Sequence, residues 1–92
     1  MKINARRSRR HIVVSKDADD KGTAMEFGAS KDESCAGMMA FGLIKSMQSE
    51  GFFNQRVFVI DDITGKTIEH LVDRNTGRAS TQPAEPITRL YT

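Results

Sequence analysis

The sequence predicts an α+β fold, a β-β-α-β-β two-layer sandwich in which one helix lies across one face of an antiparallel sheet. Three observations predict it. A β-branched run, Ile12-Val13-Val14, is followed after a turn-rich stretch by an alternating segment. Apolar residues then recur every four positions at Cys35, Met39, Leu43 and Met47, the spacing of a helix. A continuous apolar run, Val57-Phe58-Val59-Ile60, and a further alternating segment supply a second pair of strands.

The first strand runs from Arg10 to Lys16, because β-branched side chains suit a pleated surface. Asp17-Ala18-Asp19-Asp20-Lys21-Gly22 is turn chemistry. Thr23 to Phe27 alternates, with Thr23, Met25 and Phe27 on one face and Ala24 and Glu26 on the other, so the two segments read as a hairpin. Ser30 and Glu33 have capping-box spacing and open the helix. Asp32 and Glu33 suit its positive end. Ala36, Ala40 and Ile44 adjoin the Cys35 track, Lys45, Ser46 and Ser49 lie off it, and Gly51 is a natural stop. Gly37 and Gly42 each weaken a helix by up to about 1 kcal/mol relative to Ala. Their expected use is close approach to the sheet.

Phe53 to Ile60, with its continuous run Val57-Phe58-Val59-Ile60, reads as a strand covered on both faces, or as a central strand with a partner on the outside. Asp61-Asp62-Ile63-Thr64-Gly65-Lys66 turns the chain. Thr67 to Val72 then places Ile68 and Val72 on one face, with Glu69 and Leu71 on the other. Asp73-Arg74-Asn75-Thr76-Gly77-Arg78 is a second turn. Pro83 and Pro86 break regular structure, while Ile87-Thr88-Arg89-Leu90-Tyr91 suits a short edge strand. The chain therefore divides into a basic arm (1–9), one α+β domain (10–78) and a Pro-containing tail (79–92).

Ninety-two residues, 38% apolar and 28% charged, fit one globular domain. A domain of this size gains from oligomerisation or from docking on a partner. One cysteine, Cys35, excludes an internal disulfide and fits a reducing cytoplasm. The apolar run behind the basic start is only Ile12-Val13-Val14, too short for a signal-peptide core of about 7–15 residues. No segment approaches the ~18 apolar residues of a membrane span. The expected location is the cytoplasm.

Charge is the most uneven property. Lys2, Arg6, Arg7, Arg9 and Arg10 stand in the first ten residues with no acid among them, and the whole chain is formally +2, so residues 11–92 carry −3. Arginine forks match phosphates and carboxylates, which makes this arm the expected partner-binding element. Arg74 and Arg78 at the second turn, and Arg89 in the tail, are candidate extensions of it.

Other motifs reduce to turns or packing. Asp17 to Gly22 begins like a calcium loop, but Lys21 and Gly28 stand where ligands five and twelve are needed. Thr64-Gly65-Lys66-Thr67 ends like a P-loop, but Ile60 replaces the first glycine and a strand follows. Gly65 is expected to take positive φ. Cys35 reads as a small buried hydrophobe rather than a reactive thiol, and His70 as a partly buried structural residue beside Ile68 and Val72. His11 and His70 are the only imidazoles, and no nucleophile–base pair or metal-ligand spacing is evident. The expectation is no cofactor, no metal, no small-molecule substrate and no enzymatic activity.

The size, the hairpin–helix–hairpin order and the arm Arg6-Arg7-Ser8-Arg9-Arg10 resemble the small phage-encoded anti-CRISPR inhibitors of type I surveillance complexes, type I-F among them. That resemblance implies a non-enzymatic protein that binds a multi-subunit Cas ribonucleoprotein and blocks target nucleic-acid access. Many such inhibitors are acidic DNA mimics. The basic arm departs from that pattern and implies contact with guide RNA or acidic patches on backbone subunits. Two other readings compete: a direct RNA- or DNA-binding regulator using the same arm, and a small ribonuclease toxin, which would need an acid–base set this chain does not display.

Overall fold

The two most β-branched segments take the centre of the sheet. In the computed structural model, which describes residues 8–19 and 24–87 and the backbone of 89–90, β1 (His11–Asp17) pairs antiparallel with β3 (Gln55–Asp61). The register runs from His11 opposite Asp61 to Asp17 opposite Gln55. β2 (Ala24–Ser30) flanks β1, while β4 (Thr67–Val72) and then β5 (Ala79–Ala84) extend the sheet beyond β3, all antiparallel. The two-residue β6 (Arg89–Leu90) runs parallel to Ala24–Met25, giving the order β5-β4-β3-β1-β2-β6. One helix, α1 (Glu33–Ser49), packs on one face. The α+β sandwich and both expected hairpins are present.

Alternation in the central strands makes two apolar layers. Val13, Val57, Val59 and Val72 meet Ala36, Ala40 and Ile44 of α1. Ile12, Val14, Ala24, Phe58 and Ile60 form the opposite layer, against which Ala84 and Ile87 pack. This explains why Val57 to Ile60 is continuously apolar: each successive side chain enters a different, covered layer. Residues 85–87 lie on the chain's path from β5 at one edge to β6 at the other and act as a strap over the face opposite the helix. Fully burying a side chain such as Val57 or Phe58 contributes about 1.5–3 kcal/mol.

The structure corrects several local expectations. The helix cap is Asp32, whose carboxylate accepts from the Ser34 amide. Ser30 remains in β2, and its hydroxyl accepts from the Asp32 amide instead. The buried helix track is Ala36-Ala40-Ile44. Cys35 is exposed, with its Sγ 3.7 Å from an Asp32 carboxylate oxygen. Close approach falls at Gly28 of β2, where an added Cβ would lie 2.5 Å from the end of Met39. A Cβ added at Gly37 would make ordinary contact with His70, 3.5 Å away, and one added at Gly42 would meet nothing within 4 Å. In β2 the register skips Phe27, a bulge that leaves Met25 and Phe27 exposed and Ala24 as the buried residue. Thr23, like Asp20 to Gly22, lies outside the described residues.

Residues 79–84, read from the sequence as tail, form β5. Pro83 is tolerated because β5 has a neighbour on one side only, so a missing N–H on its other side disrupts no ladder. Gly51 ends the helix as expected. At φ +87° it lets the Phe52 amide reach the Met47 carbonyl (2.8 Å) and its own amide reach Gln48 (3.0 Å), a Schellman closure. Gly65 takes the expected positive φ, +81°.

Candidate functional site

Where β1 begins, the base of the arm is fastened to the sheet. Arg10 Nε and Nη2 donate to the two carboxylate oxygens of Asp61, at 3.0 and 2.9 Å. Asp61 also accepts from the Ile63 and Thr64 amides and so builds the β3–β4 turn. The Arg10 guanidinium, helped by those amides, holds the Asp61 carboxyl far below the usual carboxylate range. Arg9 pairs with Glu26 of β2. Two arm arginines are thus engaged within the fold. Lys2, Arg6 and Arg7 lie outside the described residues.

Beside this fastening, a cleft of about 260 Å³ is lined by His11, Glu33, Asp61, Lys66, His70 and Thr81 among others. His70 is 8% exposed and meets Phe41 edge-on at 4.8 Å. Burial pushes its imidazole below the ordinary value, against weaker upward pulls from the Ile68 carbonyl and Glu33. Its Nδ1 is buried and meets no hydrogen-bond partner by strict geometry among the described residues. No group of three or more His, Cys, Asp or Glu among the described residues is placed to hold a metal.

The opposite end of the sheet, where Asp17 faces Gln55, carries a different arrangement. After the Schellman closure the chain presents Phe52 and Phe53 to solvent, 58% and 54% exposed. Asn54 is then held by its amide nitrogen to Asp17 and Asp19 (2.9 and 2.8 Å), and its carbonyl accepts from the Ala18 amide. Across from it, Asp73 accepts from the Asn75 and Thr76 amides, and Gly77 at φ +74° closes the β4–β5 turn. These two turns place the Arg74 guanidinium 4.5 Å from the centre of the Phe53 ring. An open cleft of about 570 Å³ is lined there by Lys45, Gln48, Phe53, Arg74 and Asn75 among others.

The expected single surface is therefore divided. Arg74 and the exposed Arg78 sit at the end of β4 away from Arg9 and Arg10, roughly 20 Å along seven residues of strand. Arg89, described by its backbone, pairs with Ala24 at the opposite sheet edge from the β4–β5 turn. Sequence reading singled out neither Phe53 nor Lys45. The available signal was two aromatics directly after a helix-stopping glycine, where a core position is unusual.

A third arginine–carboxylate pair serves the strap face. Arg56 donates to both Glu69 oxygens (2.9 and 2.8 Å), and Gln82 adds a third bond at 3.0 Å. Glu69 is almost fully buried, and Arg56 draws its carboxyl below the ordinary range despite that burial.

Comparison with family models, with curated proteins and with solved structures finds no match to this chain. Its class rests on its own geometry: a small α+β domain with one helix packed on an antiparallel sheet. No helix among the described residues is long and apolar enough to cross a membrane.

Proposed function

We propose that the protein is a non-enzymatic docking protein that seats on a multi-subunit CRISPR–Cas ribonucleoprotein of a bacterial cell and blocks target nucleic-acid access. The observation that supports it is charge placement. A body of net −3 carries five basic residues at its start, and the last of them, Arg10, is bolted to Asp61. The bolt fixes where Lys2, Arg6 and Arg7 are joined to the body, which favours contact at one place on a larger anionic surface. The resemblance to anti-CRISPR inhibitors narrows that surface to a Cas complex, with protein backbone subunits as the main contact and guide RNA as a further one.

The test is a tagged pull-down from a lysate containing a type I Cas complex, in nuclease-treated and untreated halves, with wild type and an Arg6→Glu/Arg7→Glu variant. Recovery of Cas subunits after nuclease treatment, lost in the variant and falling steeply with salt, is expected. Equal recovery by both proteins would remove the arm from the mechanism, and recovery of no Cas subunit would end the reading.

A further inference from the structure

Large aromatic side chains normally bury most of their surface, so Phe53 needs a reason to be half exposed. Its position is fixed on both sides: Phe52 is tied to Met47 and Asn54 to the Asp17 and Asp19 carboxylates. The Arg74 guanidinium lies over it from a turn that is itself capped. A planar cation and a ring are thus held together before any ligand arrives, which lowers the ordering cost of binding.

Two cations, Lys45 and Arg74, line the cleft against one carboxylate, Asp73, which accepts from two turn amides, while Asp17 and Asp19 beyond Phe53 are engaged by the Asn54 side-chain amide. The last helix carbonyls nearby are taken up by Glu50, Gly51 and Phe52 amides, so they offer little acceptor character to the cleft. A ligand that fits must bring negative charge and a flat face together. A nucleotide in a single strand does both in every repeat unit, whereas an acidic peptide supplies the charge and leaves the ring unused.

We propose that the cleft between the end of α1 and the β4–β5 turn binds single-stranded nucleic acid, with a base stacked on the Phe53–Arg74 pair and phosphates against Lys45 and Arg74. Asn75, at the rim, offers amide groups to a base edge. A duplex hides base faces in its own stack, so single strands are preferred. The site stands at the other end of the sheet from Arg9 and Arg10 and holds whether or not the arm docks on a Cas complex.

The experiment is fluorescence anisotropy of labelled RNA and DNA oligonucleotides of about 12 nucleotides, single-stranded and duplex, with the full chain at low salt. Wild type is expected to bind single strands about tenfold or more tightly than duplex. Phe53→Ala and Arg74→Ala should each weaken binding by roughly 5–100-fold, as loss of one stacked base does, and Phe53→Trp should retain it. Circular dichroism verifies that each variant is folded. The same loss from Phe53→Ala must appear in an Arg6→Glu/Arg7→Glu background, which separates this cleft from the arm. RNA and DNA arms identify which sugar is preferred. Absence of single-strand binding, equal affinity for duplex, or Phe53→Ala and Arg74→Ala variants that bind like wild type would each overturn the proposal.

Discussion

The two ends of the central strands use arginine in opposite ways. Where β1 begins, Arg10 is forked onto Asp61, and the pair shares its carboxylate with a turn. At the other end Arg74 lies over the Phe53 ring beside an open cleft. The first arginine spends its charge inside the molecule; the second keeps its charge at the surface. Counting basic residues along the chain gives most weight to the arm, yet the fold engages two of the arm's arginines and leaves a turn arginine on display.

Substitutions can break this contrast. The largest expected effect is Asp61→Ala, which removes the Arg10 pair and the acceptor for the Ile63 and Thr64 amides together. It should cost about 2–3 kcal/mol, lowering Tm by roughly 8–20 °C in thermal unfolding. A shift under about 3 °C would show that this end is not fastened. Arg56→Met extends the contrast to the strap face. It strands the buried Glu69 with Gln82 as its remaining partner and should cost about 2 kcal/mol, a figure reduced because Arg56 itself is partly solvated.

A smaller effect follows from His70. Its imidazole sits below the ordinary 6.5, so the unfolded chain binds the proton first as pH falls. Stability should therefore decline below about pH 6.5, with a slope of at most about 1.4 kcal/mol per pH unit. His70→Gln should flatten denaturant midpoints measured between roughly pH 6.5 and 5; an unchanged slope would assign the dependence elsewhere. Asp61 and Glu69, both lowered, add a loss of the same sign at more acidic pH, below the ordinary carboxylate range. The smallest expected effect is Arg74→Ala, under about 1 kcal/mol, because an exposed cation–π contact contributes little to folding. A loss of Asp61 size would make the two ends alike.

Elements specified by nearby residues were readable in the sequence; contacts made across long intervals were not. The Val57-Phe58-Val59-Ile60 run announced a strand covered on both faces, and the Cys35-Met39-Leu43-Met47 spacing with its adjoining alanines announced a helix. β5 was hidden because Ser80-Thr81-Gln82-Pro83 has no apolar alternation, and its strand form comes from pairing with β4. The burial of Glu69 was not readable, because it rests on Arg56, thirteen positions away. Arg10 looked free because Asp61 is fifty-one positions away. Phe53 and Arg74 meet through two separate turns, a juxtaposition no local pattern encodes. Cys35 shows the reverse error: helical spacing placed it on the apolar track, but the true centre of contact lies one residue further on.

The strap also bears on how the protein is made. Residues 85–87 are synthesised after every strand they cover, so on the ribosome β1 and β3 exist before their lid does. Until Ala84 and Ile87 emerge, the layer of Ile12, Val14, Phe58 and Ile60 lacks part of its cover, a surface open to chaperones and to like chains. Truncation after residue 84 would remove Ile87 from that cover and make part of the passing exposure permanent, so the product should aggregate more readily than the full chain.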